Sequence, residues 1–153
     1  MSKYYVAYGS NLDMEQMAWR CPDAKPYMAG HLQDYELVYR GSLTGSYASI
    51  RRRKGSIVPV GVWTISPRDE LSLDRYEGYP HFYIKRTVSV SLEDGREIEA
   101  MVYIMHRGAK AGQPYQRYVE TLQRGYRDFG LNEHYLLKSL ELNRKETKGG
   151  DQK

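Results

Sequence analysis

Residues 3–12 read KYYVAYGSNL, and this stretch sets the architecture that the rest of the chain follows. Its first half is aromatic and β-branched, which predicts a buried first strand over residues 3–8. Gly9-Ser10-Asn11 then breaks the strand. Glycine lets the main chain adopt unusual torsions and approach a ligand closely, and successive free N–H groups in such a turn form an anion-binding concavity. An ordinary strand-to-helix turn supported locally by Asn11 is the other interpretation.

Short strands and two helices are predicted between this turn and residue 105. Asp13 is a suitable cap for a short helix that runs to about Arg20. Ser66-Pro67 has the residues of a second helix start, and Gly78 has those of its end. Asp94-Gly95 is a strong hairpin turn. The predicted strands after the first cover residues 27–32, 35–39, 47–50, 57–65, 82–92 and 96–105, with a basic turn at 51–54.

Helices dominate the remainder of the chain. Pro114 is expected to begin a helix with an apolar stripe, and Gly130 to end it. A shorter helix is predicted from about Asn132 to Leu142, followed by a polar, disordered tail over residues 143–153. Many short strands followed by helices indicate an α+β fold, a small mixed or antiparallel β-barrel flanked by helices. Residues 1–142 are expected to form one domain.

The composition is that of an ordinary globular protein. The chain has 153 residues, 41% of them hydrophobic and 27% charged, with a formal net charge of +4. Its single cysteine, Cys21, excludes an internal disulfide, and the four histidines lack the spacing of metal ligands, so neither a metal site nor a Cys/His nucleophile pair is predicted. We find no signal peptide and no apolar run long enough to span a membrane, which favours a cytoplasmic location.

Glu77 is the strongest candidate for acid–base chemistry. The run LDRYEGYP over residues 73–80 places its carboxylate at the end of a predicted helix, next to a glycine and among tyrosines. The negative end of the helix dipole and desolvation by the tyrosines both raise the pKa of a carboxyl towards neutrality, which suits a general base. A solvent-exposed glutamate with a small helix-end penalty is the other interpretation.

Other conspicuous residues have simpler explanations. Tyr103, on a strand, and Tyr118, on the helical stripe, are by default core residues with satisfied hydroxyls. The basic run Arg51–Lys54 could contact nucleic acid, but it lacks the interleaved aromatic residues of a reading surface, which favours a solvated turn. Cys21 precedes a proline and is expected to be packed rather than reactive.

The order of the segments resembles the γ-glutamylcyclotransferase family, in which we include the AIG2-like and γ-glutamylamine cyclotransferases. The matching segments span roughly residues 4–142. A Tyr-Gly-Ser-Asn turn followed by a Leu-Asp-x-x-Glu-Gly run is specific in combination, although either alone would be weak. The segments that carry the resemblance are YGSNL at 8–12, VGVW at 60–63, LDRYEG at 73–78 with the following Tyr83, GYRDFGL at 125–131 and YL at 135–136.

The resemblance implies a small β-barrel with a cavity at one mouth, and an enzyme that forms 5-oxoproline. In that reaction the α-amine of a γ-glutamyl group attacks its own side-chain carbonyl and expels an amine or amino acid, without a cofactor. By the same resemblance Glu77 is the acid/base, the Tyr8-Gly9-Ser10-Asn11 turn holds the substrate through main-chain N–H groups, and Tyr103 and Tyr118 line the pocket. Tyr115 is the alternative to Tyr118. The turn binds either the α-carboxylate or the oxyanion.

Two other functions remain open from the sequence. One is a protein of the same fold that binds a metabolite or cleaves a different amide, and the other is a nucleic-acid-binding module that uses Arg51–Lys54. We expect a small-molecule γ-glutamyl substrate as partner, no nucleic acid and no membrane, with the oligomeric state open, a homodimer included. The leaving amine is expected to contact the loops at 41–46 and 106–113. Tyr79, His81 and Arg52 are candidate contributors.

Overall fold

A computed structural model describes residues 2–43 and 45–151. It contains five strands and four α-helices, together with one turn of 3-10 helix at Ser10–Leu12. The strands are β1 (Lys3–Ala7), β2 (Lys25–Arg40), β3 (Tyr47–Ile65), β4 (Tyr83–Leu92) and β5 (Glu97–Met105). The helices are α1 (Met14–Arg20), α2 (Pro67–Glu77), α3 (Gln116–Phe129) and α4 (Glu133–Asp151).

The five strands close into a barrel in the order β1-β3-β2-β4-β5. Every neighbouring pair is antiparallel except β1 with β5, which meet in parallel at Tyr5 and Met101. This parallel contact closes the barrel and places the exit of β1 beside β5. The predicted α+β class and the helix-flanked barrel are confirmed.

β2 and β3 form one long hairpin, and the prediction of four short strands with a basic turn between them was wrong. The ladder runs from Arg40 opposite Tyr47 to Lys25 opposite Thr64. Its register shifts where residue 34 of β2 faces residues 53–56 of β3, so the basic run lies within a strand and bulges from it. The Asp34 carboxylate supports the bulge by accepting the Gly55 N–H at 2.8 Å.

Helix boundaries encoded by local residues are confirmed. Asp13 caps α1 by accepting main-chain N–H groups from its first turn. Ser66 and Asp69 form a capping box at the start of α2, with proline at the first helical position. Gly78 and Gly130 end α2 and α3 in the left-handed conformation, at φ values of 66° and 67°. This conformation is accessible to glycine at little cost.

Helix α3 packs against the turn that follows β1. A Cβ atom added to Gly125 would lie 2.4 Å from the Leu12 Cβ and 2.8 Å from its carbonyl carbon, so only glycine allows this approach. On the barrel side, a Cβ on Gly61 would lie 2.7 Å from the Phe129 ring. These two close contacts fix α3 between the turn and β3, and thereby fix the position of Tyr118 on the same helix.

Helix α4 continues to Asp151, past the end predicted at Leu142, so the prediction of a disordered tail from residue 143 was wrong over the described residues. Tertiary contacts explain the extra turns. The Asn143 side chain is buried and donates a 2.9 Å hydrogen bond to the Gly112 carbonyl, and Glu146 pairs with Arg40 at 3.0 Å. Residues 152 and 153 lie outside the described residues.

Candidate active site

One cavity lies where β1, α2, β5 and α3 converge. It encloses about 300 Å³ of space, including its open mouth. All seven predicted site residues line it, although they come from distant parts of the chain. The complete lining is Tyr5, Val6, Tyr8, Gly9, Ser10, Asn11, Ala48, Glu77, Tyr83, Tyr103 and Tyr118.

Glu77 is the last residue of α2, and the left-handed Gly78 turns the chain away immediately after it. Its carboxylate makes no hydrogen bond or ion pair with any other residue that the structure describes. Burial raises the pKa of Glu77 from 4.5 to about 7, and the positive charge of Arg20 opposes this rise. A carboxyl with a pKa near 7 can both take and return a proton at neutral pH.

The turn after β1 presents main-chain donors to the cavity. Within the described ranges, the N–H groups of Gly9, Ser10 and Asn11 have no acceptor, so they are available to an anionic ligand. The φ of Gly9 is −122°, outside the left-handed region. Its missing side chain matters for space instead, because a Cβ would lie 3.2 Å from both the Ala48 Cβ and the Tyr118 hydroxyl.

The Asn11 side chain holds this turn in place. Its amide nitrogen donates to the Tyr5 hydroxyl at 2.8 Å, and its amide oxygen accepts from the Arg20 guanidinium. The Asn11 main-chain carbonyl accepts the Trp63 indole N–H at 3.0 Å. These bonds fix the orientation of the side chain and leave the main-chain N–H of Asn11 available to a ligand.

Tyr8 and Tyr103 form one wall through an internal hydrogen-bond chain. The Tyr8 hydroxyl donates to the Tyr103 carbonyl at 2.6 Å, and the Tyr103 hydroxyl donates to the Asp74 carboxylate at 2.6 Å. Asp74 in turn pairs with Lys85 at 2.9 Å. Burial raises the pKa of both tyrosines, so their hydroxyls stay protonated and act as fixed donors within the wall.

Tyr118 and Tyr83 hold the opposite wall by bonding to the same residue. The Tyr118 hydroxyl accepts the Ala48 N–H at 3.0 Å, and the Tyr83 hydroxyl donates to the Ala48 carbonyl at 2.7 Å. Tyr115, the alternative to Tyr118, does not line the cavity. Its side chain is 63% exposed and packs beside Gly45.

Sequence reasoning missed five residues of this site. Tyr5 lies in the opening strand, and Tyr83 follows the Glu77-Gly78 run, so the position of each was a usable signal. Val6 and Ala48 are small apolar residues with no distinctive side-chain chemistry. Ala48 bonds to Tyr118 and Tyr83 through main-chain atoms that any residue would offer, so the sequence carries no signal for it. Arg20 lies next to the lining, where its guanidinium donates to the Asn11 amide oxygen, and nothing in its local sequence indicates this.

The regions expected to hold the leaving amine lie beside one another. The Gly41 N–H donates to the Lys110 carbonyl at 3.0 Å, and the Gly45 N–H donates to the Gln113 carbonyl at 3.0 Å. Arg52 lies elsewhere, 5.3 Å from the Tyr35 ring centre on the β2–β3 hairpin, and does not line the cavity. Cys21 is buried as predicted, and burial raises the pKa of its thiol to about 12.

Comparison with known proteins shows the same fold and extended sequence similarity. A mouse (Mus musculus) gamma-glutamylcyclotransferase is 30% identical over 158 residues, covering 97% of this chain and 84% of the relative. A bovine (Bos taurus) gamma-glutamylcyclotransferase is 32% identical, covering 91% and 79% of the two chains. A solved gamma-glutamyl cyclotransferase structure superposes with a TM-score of 0.84 at 29% identity, covering 91% of this chain and 86% of that chain.

The family model described as gamma-glutamyl cyclotransferase, AIG2-like, matches residues 5–124. That range begins within β1 and ends in α3, so it includes all the cavity residues. Together with the relatives of at least 30% identity, this match shows that the chain belongs to the AIG2-like γ-glutamyl cyclotransferase family.

Proposed function

We propose that the protein cyclises a γ-glutamyl group to 5-oxoproline, with Glu77 as the acid/base that moves the protons. The observation that carries the assignment of Glu77 is its environment: a carboxyl with a pKa of about 7 and no hydrogen-bond partner in the described residues lines the same cavity as the main-chain donors of residues 9–11. The family and its relatives support the reaction.

The reaction begins with proton removal from the substrate's α-ammonium group. The Glu77 carboxylate accepts this proton, and the free amine attacks the γ-carbonyl carbon to form the C–N bond of a five-membered ring. Because both reacting groups belong to one molecule, the main task of the cavity is to hold the folded conformer. Its tyrosine walls, whose hydroxyls are bonded internally, provide the fixed shape for this task.

Collapse of the tetrahedral intermediate completes the reaction. Protonated Glu77 returns a proton to the leaving nitrogen, and the original C–N bond breaks. The ring nitrogen, which still carries two hydrogens after the attack, gives its second proton to the ionised Glu77, which passes it to the departing amine. 5-Oxoproline and the amine, now an ammonium ion, depart with Glu77 ionised again. The N–H groups of residues 9–11 bind either the substrate's α-carboxylate or the oxyanion of the intermediate. Fixed main-chain donors of this kind stabilise developing negative charge without reorganising.

The assay for this function is direct detection of 5-oxoproline. We expect release of 5-oxoproline and the free amine, in equal amounts, from at least one of three substrate groups: γ-glutamyl amino acids, γ-glutamyl amines and glutathione. Glu120→Gln, a change at an exposed glutamate of α3, is the matched control for Glu77→Gln. Binding of these compounds without 5-oxoproline would instead identify a metabolite-binding protein.

The remaining expectations about partners and location are proposals of the same kind. Arg51 and Arg53 pair with Glu36 at 2.7 and 3.1 Å, so we expect no salt-sensitive oligonucleotide binding through this run. No helix within the described ranges has the length and apolar character needed to cross a membrane. A cytoplasmic location and a single domain stay predictions.

A further inference from the structure

Three aromatic side chains outside the cavity lining each pack edge-on against a tyrosine of that lining. We call Tyr47, Tyr79 and Phe82 the aromatic collar. The ring-centre distances are 5.3 Å, 6.5 Å and 5.2 Å, with interplanar angles of 87°, 72° and 75°. These contacts join Tyr47 to Tyr118, Tyr79 to Tyr103 and Phe82 to Tyr83.

The collar is exposed although it is apolar. Tyr47, Tyr79 and Phe82 are 47%, 40% and 41% exposed. Tyr47 and Phe82 also contact each other edge-on at 6.2 Å, so their exposed faces form a continuous surface. A contiguous apolar surface beside a cavity is a common feature of ligand-binding sites, because the ligand covers it.

Phe82 also lines a second hollow, which encloses about 810 Å³ including its open mouth. Leu43, Met105 and Ala109 provide further apolar walls of this hollow. Because Phe82 and Tyr83 are adjacent in the chain and in ring contact, the hollow lies next to the cavity that contains Glu77. The polar members of its lining include His81, His106 and Lys110.

We infer that the natural substrate carries an aromatic or large aliphatic side chain on its leaving amine, and that the collar binds this side chain. The inference rests on the proposed function. When the γ-glutamyl part occupies the cavity with Glu77, the leaving part must extend from the scissile bond past the cavity rim. The collar supplies apolar ring faces there, and Lys85, 4.5 Å from the Tyr79 ring centre, is already paired with Glu70 and Asp74.

The test compares γ-glutamyl-phenylalanine with γ-glutamyl-glycine, because both carry the same reacting group and differ in the leaving side chain. We expect kcat/KM to be roughly tenfold or more higher for γ-glutamyl-phenylalanine, the size of effect that a matched apolar pocket provides. Phe82→Ala should lower this ratio by roughly tenfold. Tyr47→Ala should lower it in the same direction, and Phe82→Leu should retain part of it.

Trp19→Ala is the matched control, since Trp19 is 84% exposed and lies outside both linings. It should leave the ratio unchanged. Equal kcat/KM for the two substrates, or a ratio that the collar variants do not change, would overturn the inference while leaving the cyclisation intact. A collar variant that changes the molecular mass in solution but not the ratio would assign the collar to a second copy of the chain. Absence of 5-oxoproline from both dipeptides, with turnover of a γ-glutamyl amine or glutathione, would overturn the inference alone. Absence of 5-oxoproline from all three substrate groups would refute the proposed function together with the inference.

Discussion

The Tyr8 hydroxyl donates a 2.6 Å hydrogen bond to the Tyr103 carbonyl, and this bond extends the short seam between β1 and β5. The two strands share a single parallel register pair, Tyr5 with Met101. No further β1–β5 register pair follows it among the described residues, although β1 runs on to Ala7. The side chain of Tyr8 bonds to β5 beyond that pair and at the same time forms part of the cavity wall.

Tyr8→Phe should therefore weaken the barrel seam. The change leaves a buried carbonyl without its donor, which costs about 1–3 kcal/mol of unfolding free energy. Urea denaturation followed by tryptophan fluorescence measures this loss. Tyr115→Phe is the control, because Tyr115 is 63% exposed and its hydroxyl makes no hydrogen bond within the described residues. Equal stability of the two variants would show that the seam does not depend on the Tyr8 hydroxyl.

Glu77→Gln should lower the rate of 5-oxoproline formation by about 10²–10⁴-fold, the usual contribution of a positioned acid–base group. The amide has nearly the same shape but cannot accept a proton. The protein should remain folded, because the Glu77 carboxylate forms no hydrogen bond among the described residues. Circular dichroism verifies the fold and single-turnover assays give the rate. Turnover close to that of the wild type would remove Glu77 from the mechanism.

The pH dependence of kcat/KM should show an acid limb near pH 7. Glu77 must be ionised to accept the first proton, and its pKa is about 7, so kcat/KM falls as the pH drops below that value. Arg20→Gln removes the positive charge that lowers the pKa of Glu77. The acid limb should then move to higher pH, whereas exposed Arg75, which forms no ion pair within the described ranges, should give no shift when changed to glutamine. An unmoved limb in Arg20→Gln would assign the limb to another group.

Gly125→Ala should destabilise the protein and impair the cavity turn together. The added methyl group would overlap Leu12, and overpacking of this kind costs about 1–3 kcal/mol. This outweighs the gain of at most about 1 kcal/mol from the higher helix propensity of alanine. Gly108→Ala is the control, since a Cβ there meets no atom within 4 Å. The midpoint temperature of thermal unfolding and kcat/KM should both fall for Gly125→Ala, and neither should fall for Gly108→Ala.

Local signals in the sequence predict the helices better than the strands. The capping box at Ser66 and the left-handed Gly78 act within a few residues, so their meaning can be read without the fold. The run at residues 51–54 suggests a turn because it is charged. Its place within β3 depends on Glu36, which pairs with Arg51 and Arg53 across the hairpin. That pairing is a contact between two strands, and the sequence around residues 51–54 does not indicate it.

The family resemblance spans the whole barrel, and this is why it could assign residues from distant parts of the chain to one cavity. Physical reasoning from single residues left both Glu77 and the turn with ordinary alternatives. Two contributions to the site cannot be read from the spacing of residues in the sequence. Ala48 bonds to the cavity tyrosines through its main chain, and Arg20 reaches the site from the end of α1. The chemical roles of the seven predicted residues stay predictions that the substitutions above address.

The long β2–β3 hairpin also has a consequence for the order in which the molecule is expected to fold. Its ladder begins where Arg40 meets Tyr47 across a short loop and can lengthen by pairing adjacent residues, so little chain entropy is lost at each step. The cavity instead requires contacts such as Tyr8 with Tyr103, which are 95 residues apart in the chain. We therefore expect the hairpin to form early during refolding and turnover to return last.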